Sequence, residues 1–260
     1  MEAAEDGVWD AGALRSRGYH GVDDLRAMIG LLMDGRALTG DWRYCHVGEL
    51  AFAFFLIACH LNPSQQVRLW HDAGGRLAGY ACAGEDPAFD YQVAPGLEGQ
   101  GIEEEALAWA EERLAALRAL PGGDAWGPLS TSARVDDLLR MTTLRRLGFA
   151  PSEYIEVNYL RELAEPIPAP VLLDGYALVA ADEDPLPEER AAAQRAVWGQ
   201  WACGRITGDD YRALQRMPGY DPYLDLAVVT PEGEVAAYVN GWADPLNRIG
   251  DLGPVGALEA

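Results

Sequence analysis

A glycine-rich turn at residues 93–103 has the spacing most typical of a chemical site in this sequence. The stretch VAPGLEGQGIE predicts a strand that passes through a tight turn into a helix. Backbone N–H groups at such a junction point toward one spot, where a phosphate or another anion can bind. Yet Glu98 and Glu103 lie within the turn and two more glutamates follow it, and carboxylates repel phosphates. The backbone therefore predicts an anion site, whereas the side chains oppose one.

The elements around this turn begin with a predicted β-hairpin at residues 66–82 and a strand at residues 89–93. After the turn, apolar residues spaced along one stripe predict a helix that extends to about residue 120. The other elements predicted for this half are helices at 22–34, 47–59 and 136–147, and strands at 129–132 and 152–163.

The second half of the chain repeats this plan. A hairpin predicted at residues 224–240 matches the first hairpin, with Gly233 corresponding to Gly75 and Tyr238 to Tyr80. The other elements predicted for this half are strands at 176–180 and 248–256, and helices at 188–198 and 208–217.

Three prolines at residues 166–170 mark the boundary between the repeats, because proline continues neither a helix nor a central strand. We therefore expect two domains, unit one at residues 1–164 and unit two at residues 165–260. The order of strands and helices predicts an α/β protein of the α+β kind, with helices packed on a mixed sheet.

The chain is strongly acidic, with a formal net charge of -21, and all 20 of its basic residues are arginine. Binding to nucleic acid or to an anionic membrane needs clustered basic residues, so this charge argues against both partners. The composition is typical of a GC-rich genome. Alternatively, the negative field attracts a cationic amine substrate.

The cysteine and histidine residues show no spacing typical of a metal site, so we expect no metal. The sequence shows neither a secretory leader nor an apolar stretch of about 20 residues that would span a membrane. A cytoplasmic location is the resulting expectation.

The order of elements, together with Leu147-Gly148-Phe149 after the last helix of unit one, resembles the GNAT acetyltransferase superfamily. The repeat makes the chain similar to tandem GNAT proteins, the arrangement of mycothiol synthase. Unit one resembles a complete repeat. Unit two resembles a repeat that stops before its own phosphate turn, since the sequence reaches Ala260 soon after the strand at 248–256.

The resemblance implies acetyl-CoA as a co-substrate, bound at the turn and at the end of the strand before it. Glu98 stands where the family has arginine or glutamine, and Glu103 stands where it has a small residue that lets the pyrophosphate approach. These departures imply weak or absent binding in unit one. The cofactor-binding residues implied are Gln92, Val93, Glu98, Gly99, Gln100, Gly101, Ile102 and Glu103.

The resemblance also implies a base that removes a proton from the attacking amine. Asp90 on the strand of unit one and Asp251 on the corresponding strand of unit two are the candidates, with a solvated strand residue as the alternative reading of Asp90. Leu144 stands where the family often has a tyrosine that acts as general acid. Three aromatic residues of unit two are candidates for the acceptor pocket or, alternatively, for the core: Trp198, Tyr220 and Trp242.

Two functions follow from this resemblance. The first is transfer of an acetyl group from acetyl-CoA to a small amine, with unit two catalysing and unit one supporting the fold. The alternative within this reading is that the chain is not competent by itself. The second is a catalytically inactive GNAT-like module that binds a ligand or a partner. A third possibility is assembly, because the strand at 248–255 is expected at a sheet edge, where it can pair with another copy to form a homodimer.

Overall fold

The computed structural model describes residues 14–40, 42–84, 86–119, 126–182, 186–199 and 202–258. These residues form two four-stranded antiparallel sheets and seven helices. Unit one contains β1 (Arg15–Gly18), α1 (Val22–Thr39), α2 (Val47–His60), α3 (Pro63–Gln66), β2 (Val67–His71), β3 (Leu77–Ala83), β4 (Phe89–Val93), α4 (Ile102–Arg118) and α5 (Leu138–Arg146). Unit two contains β5 (Ala177–Ala180), α6 (Pro187–Trp198), a 3-10 turn (Ala202–Arg205), α7 (Gly208–Leu214), β6 (Asp225–Val229), β7 (Val235–Asp244) and β8 (Ile249–Ala257).

The predicted α/β class is confirmed. The strand order is β1-β2-β3-β4 in one sheet and β5-β6-β7-β8 in the other, and all neighbouring strands are antiparallel. Within the described residues, the one parallel contact is a single bridge between Ala88 and Ser130. The strand predicted at residues 129–132 is thus reduced to this bridge, which lies beside the edge of β4.

The two central hairpins have the same construction, as the sequence match indicated. Gly75 and Gly233 occupy their turns with φ of 83° and 87°, a backbone conformation that favours glycine. In both hairpins the register shifts at the residue next to the turn. Tyr80 and Tyr238 are buried at corresponding positions on β3 and β7. The matching glycine and tyrosine pairs therefore hold equivalent places in the two sheets.

Local sequence signals explain where the helices α1 and α2 begin and end. Gly40 ends α1 in the left-handed conformation, and its N–H bonds to the carbonyl of Arg36. His46 begins α2 with a capping box, because its side chain accepts from the backbone while the Glu49 side chain accepts from the His46 N–H. This cap fixes the direction in which α2 leaves the loop.

Helix α2 belongs to two cores. On one face Leu50 and Phe54 pack into the core of unit one, between α1 and the first sheet. On another face Ala51 and Phe55 join a cluster formed by residues of unit two, which are Ala191, Ile206, Tyr211, Leu214 and Trp242. Burial of the apolar surface of α2 therefore holds the two units together.

The prediction of a strand at residues 152–163 is wrong. Residues 151–173 form no helix or strand and are exposed along their whole length, and Tyr159 and Val171 are 95% and 96% exposed. Alternating apolar residues favour a strand, but a strand also needs a neighbour that accepts and donates backbone hydrogen bonds. The described residues supply no such neighbour here.

Candidate functional site

The turn between β4 and α4 has the backbone of an anion site. Gly96, Gly99 and Gly101 have φ of 83°, 74° and 102°, which a residue with a side chain rarely adopts. Gly101 directly precedes α4 and contributes no side chain that could cap the helix. The N–H groups of Leu97 and Gln100 donate to the backbone carbonyls of Ala94 and Leu97, so they are not available to an anion.

Carboxylates of the chain itself bind two of these N–H groups. The Gly96 N–H donates to Glu98 Oε2 at 2.7 Å, and the Gly99 N–H donates to Glu103 Oε1 at 2.8 Å. Glu103 is buried, with 4% exposure, and its Oε2 atom has no hydrogen-bond partner. Arg43 lies 3.9 Å from Glu98. The side chains predicted to repel an anion thus occupy part of the place where it would bind.

Arg140 connects β4 to the segment at residues 131–132. Its guanidinium donates to the carbonyl of Tyr91 on one side, at 2.7 Å, and to the carbonyl of Ser132 on the other, at 2.8 Å. It also pairs with Asp90 at 2.6 Å and lies 4.1 Å from the centre of the Tyr91 ring. Asp90, a predicted base, is therefore held in an ion pair.

Three further residues predicted to bind the cofactor lie on β4 and at the start of α4. Gln92 is buried on β4 and lies 3.5 Å from the Asp90 carboxylate. The carbonyl of Val93 accepts a hydrogen bond from the Tyr44 hydroxyl at 3.0 Å. Ile102 is fully buried against Gly79. These residues stand next to one another, and several of their polar groups already have partners within the protein.

His46 joins the two units at the N-terminus of α2. Its Nδ1 accepts from the Gly48 N–H at 3.0 Å, which leaves Nε2 to carry the proton and face the Ile249 carbonyl of β8 at 3.5 Å. Burial lowers the pKa of His46, against the opposing effect of Asp251. A neutral imidazole therefore connects the cap of α2 to β8.

Glu49 lies next to this joint and keeps a solvent-exposed surface. Desolvation by the surrounding protein raises the pKa of Glu49, and the carboxylates of Asp251 and Asp90 raise it further, against the His46 N–H and Arg36. Burial raises the pKa of the Cys45 thiol, and the carboxylates of Asp90 and Glu49 raise it further. Glu49 on α2 therefore interacts electrostatically with Asp90 on β4 and with Asp251 on β8.

An open recess of about 370 Å³ extends along β7 and β8. Trp242 and Asp251, which lie opposite each other in the register of these strands, line it together with Asp244 and Arg248. Trp242 and Asp244 are buried, whereas Asp251 keeps part of its surface exposed in the recess. The carboxylate of Asp251 attracts a cation by charge, against the like charge of Arg248.

The three predicted acceptor residues lie together in the contact between the units. Trp242 is 1% exposed, and Tyr220 meets it edge-on with ring centres 6.5 Å apart. Trp198 is half-buried against the same cluster. Trp242 thus belongs to the core while also lining the recess.

A buried polar network lies under α6, and sequence reasoning missed it. Asp225 accepts from Arg190 at 2.5 Å and from the hydroxyls of Tyr211 and Tyr220 at 3.0 and 2.7 Å. Arg190 and Asp225 are 0% and 1% exposed at their side chains. The sequence signal for this network is Arg190 on the apolar face of α6, four residues before Gln194. Gln194 is also buried and donates a hydrogen bond to the side chain of Asn240.

His46 and Glu49 were also missed. Their spacing, a capping residue followed three positions later by glutamate, is the pattern of a helix start and indicates no chemistry. Their position beside β8 depends on contacts between residues about 200 positions apart in the chain. Among the described residues, no three histidine, cysteine or acidic side chains are grouped so that they could hold a metal ion. None of the described helices is long and apolar enough to cross a membrane.

Comparison with solved structures gives a match over almost the whole chain. A GCN5-related N-acetyltransferase from Sphaerobacter thermophilus superposes with a TM-score of 0.53 and 19% sequence identity, covering 94% of this chain and 76% of that protein. An aminoglycoside antibiotic 6'-N-acetyltransferase from Acinetobacter baumannii, 13% identical, covers 58% of this chain and 100% of that protein with a TM-score of 0.36. No protein-family model matches the sequence, and neither does any curated protein. The first of these structures places the chain in the fold of the GCN5-related N-acetyltransferases.

Proposed function

We propose that this protein transfers an acetyl group to a small cationic amine, which binds at the boundary between the two units. The observation that supports this most strongly is that Glu49 on α2 interacts electrostatically both with Asp90 on β4 and with Asp251 on β8, which lines an open recess. A concentration of carboxylates attracts an ammonium group and holds it by charge-assisted hydrogen bonds.

Glu49 is the proposed base. An ammonium group must lose a proton before its nitrogen can attack an acyl carbon, and a carboxylate with a raised pKa is better suited to take that proton near neutral pH. Glu49 has a raised pKa and an exposed surface, whereas Asp90 is paired with Arg140. Asp251 would then hold the ammonium group and keep Glu49 basic.

Acetyl-CoA would be the acyl donor, supplying the activated acetyl group. The turn of unit one does not fit its pyrophosphate, since carboxylates already hold the N–H groups of Gly96 and Gly99. We place the donor in unit two instead, along the outer edge of β8, which is unpaired among the described residues. This placement treats the two units as tandem repeats, with residues 1–164 supporting residues 165–260.

The test is release of free CoA thiol from acetyl-CoA in the presence of small amines, such as benzylamine and 1,4-diaminobutane, between pH 6 and 9. We expect amine-dependent release by the wild-type chain. Glu49→Gln should lower kcat/KM by about 100-fold or more, the usual size of a general-base contribution. Glu112→Gln, on the exposed face of α4, should leave it unchanged. A folded wild-type chain that releases no thiol with any amine would contradict the proposal.

A second candidate is an amine-binding module without chemistry, and the filled turn of unit one favours it. This candidate expects calorimetric binding of the same amines, weakened in Asp251→Asn, without thiol release. Thiol release by the wild-type chain would exclude it. Absence of both binding and release would exclude both candidates.

A further inference from the structure

We infer that the glycine turn of unit one is an anion site whose occupant is part of the chain, with the carboxylates of Glu98 and Glu103 in the place of phosphate oxygens. The inference concerns unit one only and does not depend on the proposed acetyl transfer.

The first support is the position of the N–H groups that these carboxylates bind. Gly96 and Gly99 both precede α4, which begins at Ile102. An ordinary acidic side chain in a first helical turn interacts with the N–H groups of that turn. Glu98 and Glu103 instead bind N–H groups of the glycine turn itself. They therefore satisfy the donors that would otherwise hold an external anion.

The second support is the burial of Glu103. A carboxylate loses hydration when it is buried, and it remains in the protein interior only where donors or charges compensate. Glu103 is 4% exposed, and one of its oxygens accepts from Gly99 while the other, also buried, has no hydrogen-bond partner. Its position in the first turn of α4 supplies the helix dipole as compensation. An acidic side chain in this place behaves as a ligand of the turn.

The consequence is competition between the chain and any external oxyanion. A phosphate that approached the turn would meet two carboxylates and would have to displace them from donors at 2.7 and 2.8 Å. Removal of both carboxylates would free the N–H groups and leave a cradle for a phosphate or a pyrophosphate group. Gly96, Gly99 and Gly101 have φ of 83°, 74° and 102°, which glycine adopts without steric cost.

The test uses inorganic pyrophosphate as the probe, with the wild-type chain, the double variant Glu98→Ala/Glu103→Ala, and Glu112→Ala as a matched control on the exposed face of α4. Calorimetry should show no saturable binding of millimolar pyrophosphate to the wild type or to the control. The double variant should show saturable binding, with a Kd at least about tenfold below the highest pyrophosphate concentration tested. Coenzyme A should then bind the same variant and compete with pyrophosphate. Saturable binding of pyrophosphate by the wild type, lost in the double variant, would overturn the inference, as would a folded double variant that binds nothing.

Amide hydrogen exchange keeps the inference testable if the double variant does not fold. Each N–H group is held by one carboxylate, so Glu98→Gln should speed exchange mainly at Gly96, and Glu103→Gln mainly at Gly99, because a neutral amide oxygen is a weaker acceptor. Exchange at Gly96 and Gly99 that is already fast in the wild-type protein, or that neither substitution changes, would contradict the inference.

Discussion

The indole of Trp242 in unit two lies directly against Gly48 in the first turn of α2. A Cβ atom added to Gly48 would lie 2.6 Å from the Cβ of Trp242, well inside contact distance. Trp242 itself is 1% exposed and donates its indole N–H to the Gly253 carbonyl at 2.8 Å, so it cannot move aside without losing a hydrogen bond. Glycine at position 48 therefore permits the close approach of the two units.

Gly48→Ala should destabilise the protein by about 1–3 kcal/mol, the usual cost of overpacking a well-packed contact. The measurement is urea unfolding followed by tryptophan fluorescence. Gly30→Ala is the matched control, because Gly30 lies in the middle of α1 with no atom within 4 Å of an added Cβ. That control should stabilise the protein by about 0.5–1 kcal/mol. Equal effects of the two substitutions would contradict the contact.

The His46 joint should make stability depend on pH. The pKa of His46 in the folded protein lies below its ordinary value of 6.5, so the unfolded chain binds a proton that the folded protein resists. The free energy of unfolding should therefore fall as the pH drops below about 6.5 and recover above it. Protonation would also remove the Nδ1 acceptor that caps the Gly48 N–H.

His46→Asn tests this pH dependence, since asparagine can still cap a helix but does not titrate. Urea unfolding at pH 7.5 and 5.5 should show a smaller loss of stability for the variant than for the wild type. Burial also lowers the pKa of His71, so His71 likewise reduces the free energy of unfolding as the pH falls. The difference between variant and wild type, rather than the total loss, therefore reports on His46. Identical pH profiles would show that the joint is insensitive to protonation.

The Arg190–Asp225 pair should be costly to break. Asp225→Asn leaves the guanidinium of Arg190 buried without its charge partner, a change that typically destabilises by about 3–5 kcal/mol. Equilibrium denaturation provides the measurement. Arg26→Gln removes an exposed ion pair with Asp23 and should cost no more than about 1 kcal/mol. A loss for Asp225→Asn as small as that for Arg26→Gln would mean that water solvates Arg190.

Arg140→Met should loosen the edge of β4. The substitution removes hydrogen bonds to two backbone carbonyls, each worth about 1.5–3 kcal/mol before relaxation when the donor is charged. Hydrogen exchange should accelerate at the amides of Phe89 and Ser130, which join β4 to the neighbouring chain. Amides of β2 and β3 should keep their protection, and uniform acceleration would indicate global destabilisation instead.

Much of the fold was predictable because its signals are local. The two hairpins were predicted from strand-forming segments on either side of turn residues that include Gly75 and Gly233, and both glycines have positive φ in the structure. The prediction of a strand at residues 152–163 was wrong, although the local sequence favours an extended backbone. Whether a neighbouring strand is present depends on tertiary structure, which the local sequence does not determine.

The candidate site was less predictable for the same physical reason. The charges of Glu98 and Glu103 could be read from the sequence, but their effect depends on where the carboxylates point. The sequence predicts repulsion of a phosphate, and the structure adds that the carboxylates bond to the turn. Glu49 acquires its raised pKa only from neighbours that folding brings to it, including Asp251 from the other unit.

The sharing of α2 between two cores also limits how the chain can be divided. The proline-rich stretch at residues 165–170 separates two similar halves of the sequence. Cutting the gene there would nevertheless leave Ala51 and Phe55 facing water on one fragment and strip Trp242 of its cover on the other. The two halves must therefore be expressed, purified and mutated together.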